Sequence, residues 1–343
     1  MTHMPAAPSR LQSAAMNVDF HFHMIPRFFL DELAEGNPWG KTLIREAGRE
    51  FLQIGPIRFP MDPDHYDTDT ILAAMDAMRV DLAAISPSPM LFHSNLDGAA
   101  VAPLHRRVND HLQGMAAAHP DRFRPLGIVP MQSPDLAVAE VERILGEGGM
   151  AGVEIETNIA GRPLSDADFA PVFKAIERRS GVVFLHPAGI LGADRLREYY
   201  LSNLIGNPTD TAAAAAQLIF GGVLDACPDL DIVLPHGGGS TPALCGRWDH
   251  GTSVRPELAH MQTPPSSLAK RFHYDSLTHS DAALSLLLDV AGSNRIVLGS
   301  DHPYDMGETN PVGLIEARGD LDEAQRRAIL GGNALRLLGL DTD

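Results

Sequence analysis

Short apolar runs recur along this chain, and each is followed by polar, glycine or proline residues and then by a segment with helical periodicity. Several of these runs are apolar throughout, as expected of strands that are covered on both faces. The eight runs span residues 17–22, 80–86, 124–129, 152–156, 182–186, 231–235, 272–275 and 295–299. This alternation predicts an α/β fold made of eight βα units, the repeat of a closed (β/α)8 TIM barrel.

Helical patterns lie between the predicted strands. Residues 165–179 begin at Ser165, a residue type favoured at helix N-caps, and residues 210–226 contain the alanine run 212–216. An open doubly wound sheet is the alternative, but that fold usually carries a glycine-rich phosphate loop after its first strand, where this chain has His-Phe-His. The long segment 24–65 is rich in Pro, Gly and Phe and predicts a lid or small subdomain inserted after strand 1, at the catalytic face.

The composition fits one soluble domain. With 343 residues, 44% of them hydrophobic, the chain is large enough for a single barrel over residues 16–343. Residues 1–15 lack the apolar core of a signal peptide and predict a flexible arm, and no run of about 18 apolar residues suggests a membrane span. The two cysteines, Cys227 and Cys245, cannot build a disulfide framework or a four-thiolate zinc site, so a reducing, cytoplasmic setting is expected.

The charge balance excludes some classes of partner. A formal net charge of −17 argues against binding to nucleic acid or to an anionic membrane, because both need a basic surface. A small carboxylate substrate must therefore be attracted locally, by a metal ion or a few arginines in a cleft.

Polar groups that can bind a metal or transfer a proton lie at the ends of four predicted strands. His21 and His23 are two residues apart, so their side chains share one face about 7 Å apart along the strand. His186 ends the fifth strand, His236 ends the sixth and precedes three glycines, and Asp301 follows the eighth. A His-x-His pair alone is as often ordinary packing, but barrel enzymes place their active sites at this end of the strands.

The residue types predict a catalytic divalent metal. Imidazoles with one carboxylate suit zinc, or another divalent ion such as manganese or cobalt, and leave one coordination position for water. Structural zinc sites are instead closed and usually rich in thiolates. No organic cofactor is expected.

Several longer stretches carry a family resemblance. They are VDFHFH near the start, HGGGSTPALCGRWDHG from His236, YDSLTHSDAAL, RIVLGSDHPYDMGE and the C-terminal GNALRLLGL. On these stretches the chain resembles the decarboxylase branch of the amidohydrolase superfamily, especially the aminocarboxymuconate semialdehyde decarboxylase-like family, over nearly everything after residue 16. The resemblance implies that the metal ligands are His21, His23, His186 and Asp301. It also implies that His236 is the catalytic histidine. Asp301, at once a ligand and a carboxylate, is expected to be catalytic as well, by passing a proton to the substrate carbon.

The expected substrate-binding residues are Arg247, Arg58, Tyr304 and His302. The resemblance makes Arg247, eleven residues after His236, an anchor for the substrate carboxylate that reaches into a neighbouring subunit, so a homodimer is expected. Arg58 is a candidate for a second binding arginine in the inserted segment. Tyr304 and His302 follow the eighth strand, where contact with the substrate is expected.

Three departures from the family pattern affect the predicted substrate. Ala188 stands where the family has tryptophan, the aromatic residue expected near Ser202 and Asn203 is missing, and Asp305 adds a carboxylate near the end of the eighth strand. We therefore expect a metal-dependent nonoxidative decarboxylase of a hydroxylated aromatic or heteroaromatic carboxylate, or of a ring-cleavage product such as a carboxymuconate semialdehyde. The alternative is a metal-dependent hydrolase of the same superfamily, acting on an amide, lactone or C–C bond.

Overall fold

A barrel of eight parallel strands forms the centre of the molecule. The computed structural model describes residues 16–36, 39–55 and 57–340, so the predicted arm 1–15 lies outside the described residues. The barrel strands are β1 (Val18–Met24), β2 (Leu82–Pro87), β3 (Leu126–Ile128), β4 (Gly152–Glu156), β5 (Val182–His186), β6 (Ile232–Leu234), β7 (His273–Asp275) and β8 (Ile296–Val297). Each of them overlaps the apolar run that predicted it, and the predicted barrel is confirmed.

Pairing between strands closes the sheet. β1 pairs in parallel with β2, and β3 to β8 form a second parallel sheet in chain order. Isolated bridges join the two sheets on both sides: Asp19 to Leu298, Phe22 to His302 and Ala83 to Phe123. The open doubly wound sheet is therefore excluded.

Helices surround the barrel. The α-helices are Arg27–Glu35, Thr68–Ala77, Gly98–Ala118, Pro134–Leu145, Ala170–Arg178, Asn207–Phe220, Val223–Ala226, Thr241–Val254, Pro265–Ala269, Asp281–Ala291, Pro311–Glu316, Glu323–Arg327 and Asn333–Leu337. Two π-helical turns, Ser202–Gly206 and Ala328–Gly332, precede the helices that start at Asn207 and Asn333. No helix in the described part of the chain is both long and apolar enough to cross a membrane.

The two predicted helices are present with changed boundaries. Residues 165–179 form a 3-10 turn, Ala167–Phe169, followed by the helix Ala170–Arg178. The segment 210–226 is divided into two helices because Gly222 adopts a left-handed conformation with φ of 73°, which favours glycine and ends the first helix.

The segment inserted after β1 is a small subdomain. It contains the helix Arg27–Glu35 and an antiparallel sheet of three strands, Lys41–Glu46, Arg49–Ile54 and Ile57–Pro60. Arg27 joins the helix to this sheet by a bidentate ion pair with Glu50, at 2.5 and 2.9 Å. The antiparallel sheet is separate from the barrel sheet.

The apolar core has two parts. One lies between the barrel and its helices, and the other fills the inside of the barrel. The inner part includes Phe20 and Phe184, whose rings meet edge to face at 5.9 Å, and Leu337 of the last helix packs against it. This inner core fills the barrel toward the amino-terminal ends of its strands. Polar side chains therefore occupy the carboxyl ends of the strands.

Candidate active site

An irregularity in β1 places its two histidines inside the barrel. From Asp19 to Phe22 this strand advances three residues while its pairing partners on β2 advance two, which is the geometry of a β-bulge. The extra residue allows His21 and His23 to face the barrel axis above Phe20, which fills the apolar layer below them. Since His21 and His23 share one face of any regular strand, the bulge explains instead why they face the same interior as Phe20, from which they differ by an odd number of positions.

Four side chains from the ends of three strands lie close together next to the inner apolar core. They are His21, His23, His186 and Asp301, all buried, and one ligand atom of each lies within 4.8 Å of the others. The Nε2 atoms of His21 and His23 are 3.0 Å apart. Oδ1 of Asp301 lies 3.1 Å from Nε2 of His21 and 3.4 Å from Nε2 of His23. We call these four residues the metal-binding cluster.

The atoms of the cluster fit a divalent cation. Nε2 of His186 and Oδ1 of Asp301 are buried and have no hydrogen-bond partner among the described residues. Nδ1 of His186 lies 3.2 Å from the Pro187 carbonyl oxygen, so it donates there and leaves the Nε2 lone pair free. Buried polar atoms without partners are costly, and a shared cation satisfies them together.

Asp275, at the end of β7, hydrogen-bonds to the side of the His21 ring that faces away from the cluster. Its Oδ2 lies 2.6 Å from Nδ1 of His21, which therefore presents Nε2 to the cluster. The same carboxylate accepts the backbone N–H of His236 at 2.9 Å and that of Gly237 at 2.7 Å. Asp275 is not among the site residues predicted from the sequence, although an acidic residue at the carboxyl end of a predicted barrel strand is an available signal.

The charges in the cluster are strongly coupled. Burial by itself lowers the pKa of His21, but the Asp301 and Asp275 carboxylates outweigh it and raise that pKa to about 10. Burial raises the pKa of Asp301, but the histidines around it hold the pKa well below its usual range. Burial and the neighbouring histidines lower the pKa of His186 well below its usual range. Without a metal, His21 therefore holds a proton that a cation must displace.

His236 stands between the cluster and a cavity. Its Nε2 lies 3.5 Å from Oδ2 of Asp301, and its side chain is 18% exposed, against 6% for that of Asp301. The cavity has a volume of about 510 Å³ and is also lined by Asn207, Thr278 and Met306. This volume lies in the usual range for sites that bind small molecules, roughly 300 to 1,000 Å³. His236 can therefore contact both a ligand in the cavity and the cluster.

Two carboxyl groups of β4 also face the barrel interior. Glu154 and Glu156 are two residues apart, so they share one face of the strand. Oε1 of Glu154 lies 3.7 Å from Nδ1 of His23, neither of its oxygens has a hydrogen-bond partner among the described residues, and burial raises its pKa well above the usual range. Glu156 accepts a hydrogen bond from Ser94 at 2.9 Å. Neither residue is among the site residues predicted from the sequence.

Tyr304 and His302 border the cluster. The Tyr304 ring lies 5.6 Å from that of His23, and its hydroxyl group hydrogen-bonds to the Ser88 side chain. The His302 ring stacks on Phe22 at 4.5 Å, and its Nε2 is buried without a partner among the described residues. Tyr304 thus lies beside the cluster, whereas the described ring contact of His302 is with Phe22, and neither residue is among those that line the cavity next to His236.

The two predicted arginines lie elsewhere in the single chain. Arg58 forms an ion pair with Glu46 at 2.8 Å and lies over the Phe51 ring at 4.7 Å, within the inserted sheet. Arg247 is exposed on the helix Thr241–Val254, and no carboxylate of the described residues lies within ion-pairing distance of it. The described contacts of these arginines include none of the four cluster residues.

Two departures from the family pattern meet at the loop after β5: Ala188 lies in this loop, and Asp305, which follows β8, contacts it. The carbonyl oxygen of Ala188 accepts a hydrogen bond from Nδ2 of Asn158 at 2.7 Å. Asp305 accepts one from the Tyr200 hydroxyl at 3.1 Å. Tyr200, close to the position where the family aromatic is missing, therefore places an aromatic ring near the added carboxylate.

Comparison with known proteins adds independent information. A family model described as amidohydrolase matches residues 18–340. The 2-amino-3-carboxymuconate-6-semialdehyde decarboxylase of Dictyostelium discoideum is 32% identical over 340 residues, covering 95% of this chain and 92% of that protein. The gamma-resorcylate decarboxylase of Rhodococcus jostii is 28% identical over 298 residues, covering 80% and 88%. The apo form of Metarhizium anisopliae IDCase has a similar structure, with a TM-score of 0.85, 25% identity and coverage of 95% and 97%.

Proposed function

The chain belongs to the amidohydrolase family, and on that premise we propose that it is a metal-dependent nonoxidative decarboxylase. The substrate class is a hydroxylated aromatic or heteroaromatic carboxylate, or a ring-cleavage product such as a carboxymuconate semialdehyde. The observation that carries this proposal is the buried cluster of three imidazoles and one carboxylate that opens, through His236, onto a cavity of about 510 Å³. The decarboxylase activity of the similar proteins supports it.

His21, His23, His186 and Asp301 would hold the cation, with zinc as the first choice and manganese or cobalt as alternatives. Three nitrogen donors and one oxygen donor are a ligand set that zinc accepts, and the absence of thiolates from this set favours a catalytic over a structural site. When bound, such an ion supplies positive charge that stabilises the negative charge developing on the substrate during the reaction.

His236 and Asp301 are assigned the proton transfers. Decarboxylation breaks the bond between the carboxylate carbon and its neighbour, and the electron pair stays on the neighbouring carbon until a proton is delivered there. Oδ2 of Asp301 and Nε2 of His236 are 3.5 Å apart, close enough to exchange that proton with modest movement. The exposed edge of His236 faces the cavity and can polarise the substrate, while Asp275 fixes its backbone.

Arg247 is proposed to anchor the substrate carboxylate in the site of a second copy of the chain, within a homodimer. Its exposed guanidinium lacks a carboxylate partner among the described residues, which leaves its donors available to a neighbouring molecule. The helix that carries it begins next to Ser240 and Pro242, which line the cavity. In the single chain, Arg58 has a partner already, so Arg247 is the better supported of the two arginines.

We propose one catalytic domain over residues 16–343, with the subdomain of residues 24–65 as a lid over the carboxyl ends of the strands. Its Lys41 lies 3.2 Å from His93, which follows β2, and this contact supports that placement. Cys227 and Cys245 are unpaired, which supports a reducing, cytoplasmic setting.

The experiment that tests the function is a screen for released bicarbonate. The metal content of the protein is measured first. The protein is then incubated with hydroxybenzoates, hydroxypicolinates and muconate semialdehydes, and the masses of the products are determined by mass spectrometry. A product that has lost carbon dioxide supports the proposal. A product that keeps its carboxylate and gains the elements of water would establish the hydrolase alternative, because the same cluster can also activate water.

A further inference from the structure

A second cavity lies at the opposite end of the barrel from the metal-binding cluster. Its volume is about 330 Å³. It is lined where β6, β7 and β8 begin, by Asp231, His273 and Arg295, and by the C-terminal helix Asn333–Leu337. Catalytic residues of barrel enzymes lie at the other end of the strands. The proposed decarboxylation therefore makes no use of this cavity.

Two guanidinium groups line the cavity without a direct ion pair. Arg295 donates from Nη1 to Nε2 of His273 at 2.8 Å, and Arg336 donates to the Gly332 carbonyl oxygen at 3.2 Å and to the Asn333 side chain. No carboxylate of the described residues lies within ion-pairing distance of either arginine. Each guanidinium has five N–H donors, so both retain donors that these bonds do not use.

The balance of charge in the cavity is opposite to that of the whole chain. Asp231 is the one carboxylate on its lining, and it lies 3.4 Å from Nε2 of His273. With two arginines and a neutral histidine, the lining carries a net positive charge, whereas the chain has a formal charge of −17. A local positive cavity on an acidic protein attracts small anions at short range.

His273 holds Arg295 in place at the cavity. A guanidinium can only donate, so Nε2 of His273 accepts from Arg295, and the neutral ring carries its hydrogen on Nδ1. The residue is 6% exposed, and Nδ1 is closed to solvent. The ring therefore orients the Arg295 guanidinium, whose remaining donors are available to a ligand in the cavity.

We propose that this cavity is a binding site for a small oxyanion, a phosphate or a carboxylate, held by Arg295 and Arg336, with His273 orienting Arg295. Guanidinium groups match the oxygens of both kinds of anion and bind them through paired donors. A bound anion would connect the starts of three barrel strands to the C-terminal helix. Because it binds only the folded chain, it stabilises that chain by mass action. The proposal is independent of the reaction at the other end of the barrel.

The test measures thermal unfolding of the full-length, metal-loaded protein. Phosphate and succinate are titrated separately against chloride at equal ionic strength. We expect one of them to raise the midpoint of unfolding with saturation, and the effective anion identifies the class of ligand. Arg336→Gln should weaken the apparent affinity about tenfold or more, the loss of one charge-assisted contact. Arg336 is exposed, so this variant should fold, which circular dichroism checks.

Arg327→Gln is the matched control, because Arg327 is an exposed arginine of the same C-terminal region that pairs with Glu323 instead. It should keep the full anion response. The proposal is overturned if neither anion stabilises the protein beyond chloride, or if the control loses the response equally. It is also overturned if the response survives both Arg336→Gln and Arg295→Gln, since the anion would then bind elsewhere, for example at the metal.

Discussion

Nδ1 of His21 lies 2.6 Å from Oδ2 of Asp275, and both side chains are fully buried. The two residues are 254 positions apart on strands that are not neighbours in the barrel, so the contact crosses its interior. A carboxylate in this position fixes the ring and leaves Nε2 as the donor atom for a metal. We therefore expect Asp275 to support the proposed metal site although it does not belong to the cluster.

Asp275→Asn should weaken metal binding by about 10- to 100-fold while the chain stays folded, because the amide can still accept from His21 but lacks the charge. Competition with a chelator measures the affinity. The control is Asp281→Asn, at an acidic side chain that is 89% exposed. Equal affinities for the two variants would contradict the role of Asp275.

The double variant His21→Ala, His23→Ala should lose its metal, because half of the proposed ligand set is removed. The unaltered protein should carry about one divalent ion per chain, which elemental analysis determines. Replacing the exposed His250 by Ala is the control and should leave the metal content unchanged. Unaltered protein that holds no stoichiometric metal, and gains no activity when metal is added, would refute the metal site.

Metal affinity should rise with pH across the neutral range. The pKa of His21 is raised to about 10, since Asp301 and Asp275 outweigh burial, so the metal-free site holds a proton there. Binding a cation displaces about one proton, and the affinity falls about tenfold for each pH unit below that pKa. The same raised pKa stabilises the metal-free fold at neutral pH, and this contribution is lost as the pH rises through about 10.

Calorimetry in two buffers with different ionisation enthalpies measures the released protons. Asp301 contributes none near neutral pH, because its pKa lies well below the usual range. Metal binding that releases no proton near neutral pH would show that His21 is already neutral in the metal-free protein.

His236→Gln should lower kcat by about 10²- to 10⁴-fold, the usual contribution of a group that transfers a proton, and should leave the metal in place. Steady-state kinetics and metal analysis of the same preparation separate these effects. His279→Gln, at another histidine of the same cavity, is the control for a general change in the cavity wall. A His236 variant with normal metal content and near-normal kcat would remove this residue from the mechanism.

Arg247→Ala should raise KM strongly, and Arg247→Lys should not restore it, because an ammonium group cannot reproduce the paired donors of a guanidinium. Mixing the chains of Arg247→Ala and His236→Ala tests whether the arginine crosses between subunits. Each mixed dimer would contain one complete site, so random mixing should recover about a quarter of the full activity. Mixed dimers that stay inactive would place Arg247 outside the neighbouring site.

The eight strands could be predicted from the sequence because the signal for a buried strand is local. A strand that is covered on both faces needs an apolar run such as 182–186, and that run is visible without knowing what covers it. His186, His236 and Asp301 could be placed at one end of the barrel for a related reason, since parallel strands bring their carboxyl ends together. The ligand set itself rested on the family resemblance, because periodicity does not distinguish a metal ligand from a histidine that transfers protons.

The tertiary structure decided the rest. Whether His21 offers Nδ1 or Nε2 depends on Asp275, which reaches it only after the barrel has closed. The bulge in β1 depends on pairing with β2. Glu154 faces His23 only because β4 and β1 belong to the same closed ring of strands. Arg58 was expected near the substrate, but in the chain its ion pair with Glu46 depends on the pairing of the inserted strands. Such contacts join distant segments, and no local pattern of residues encodes the distance between them.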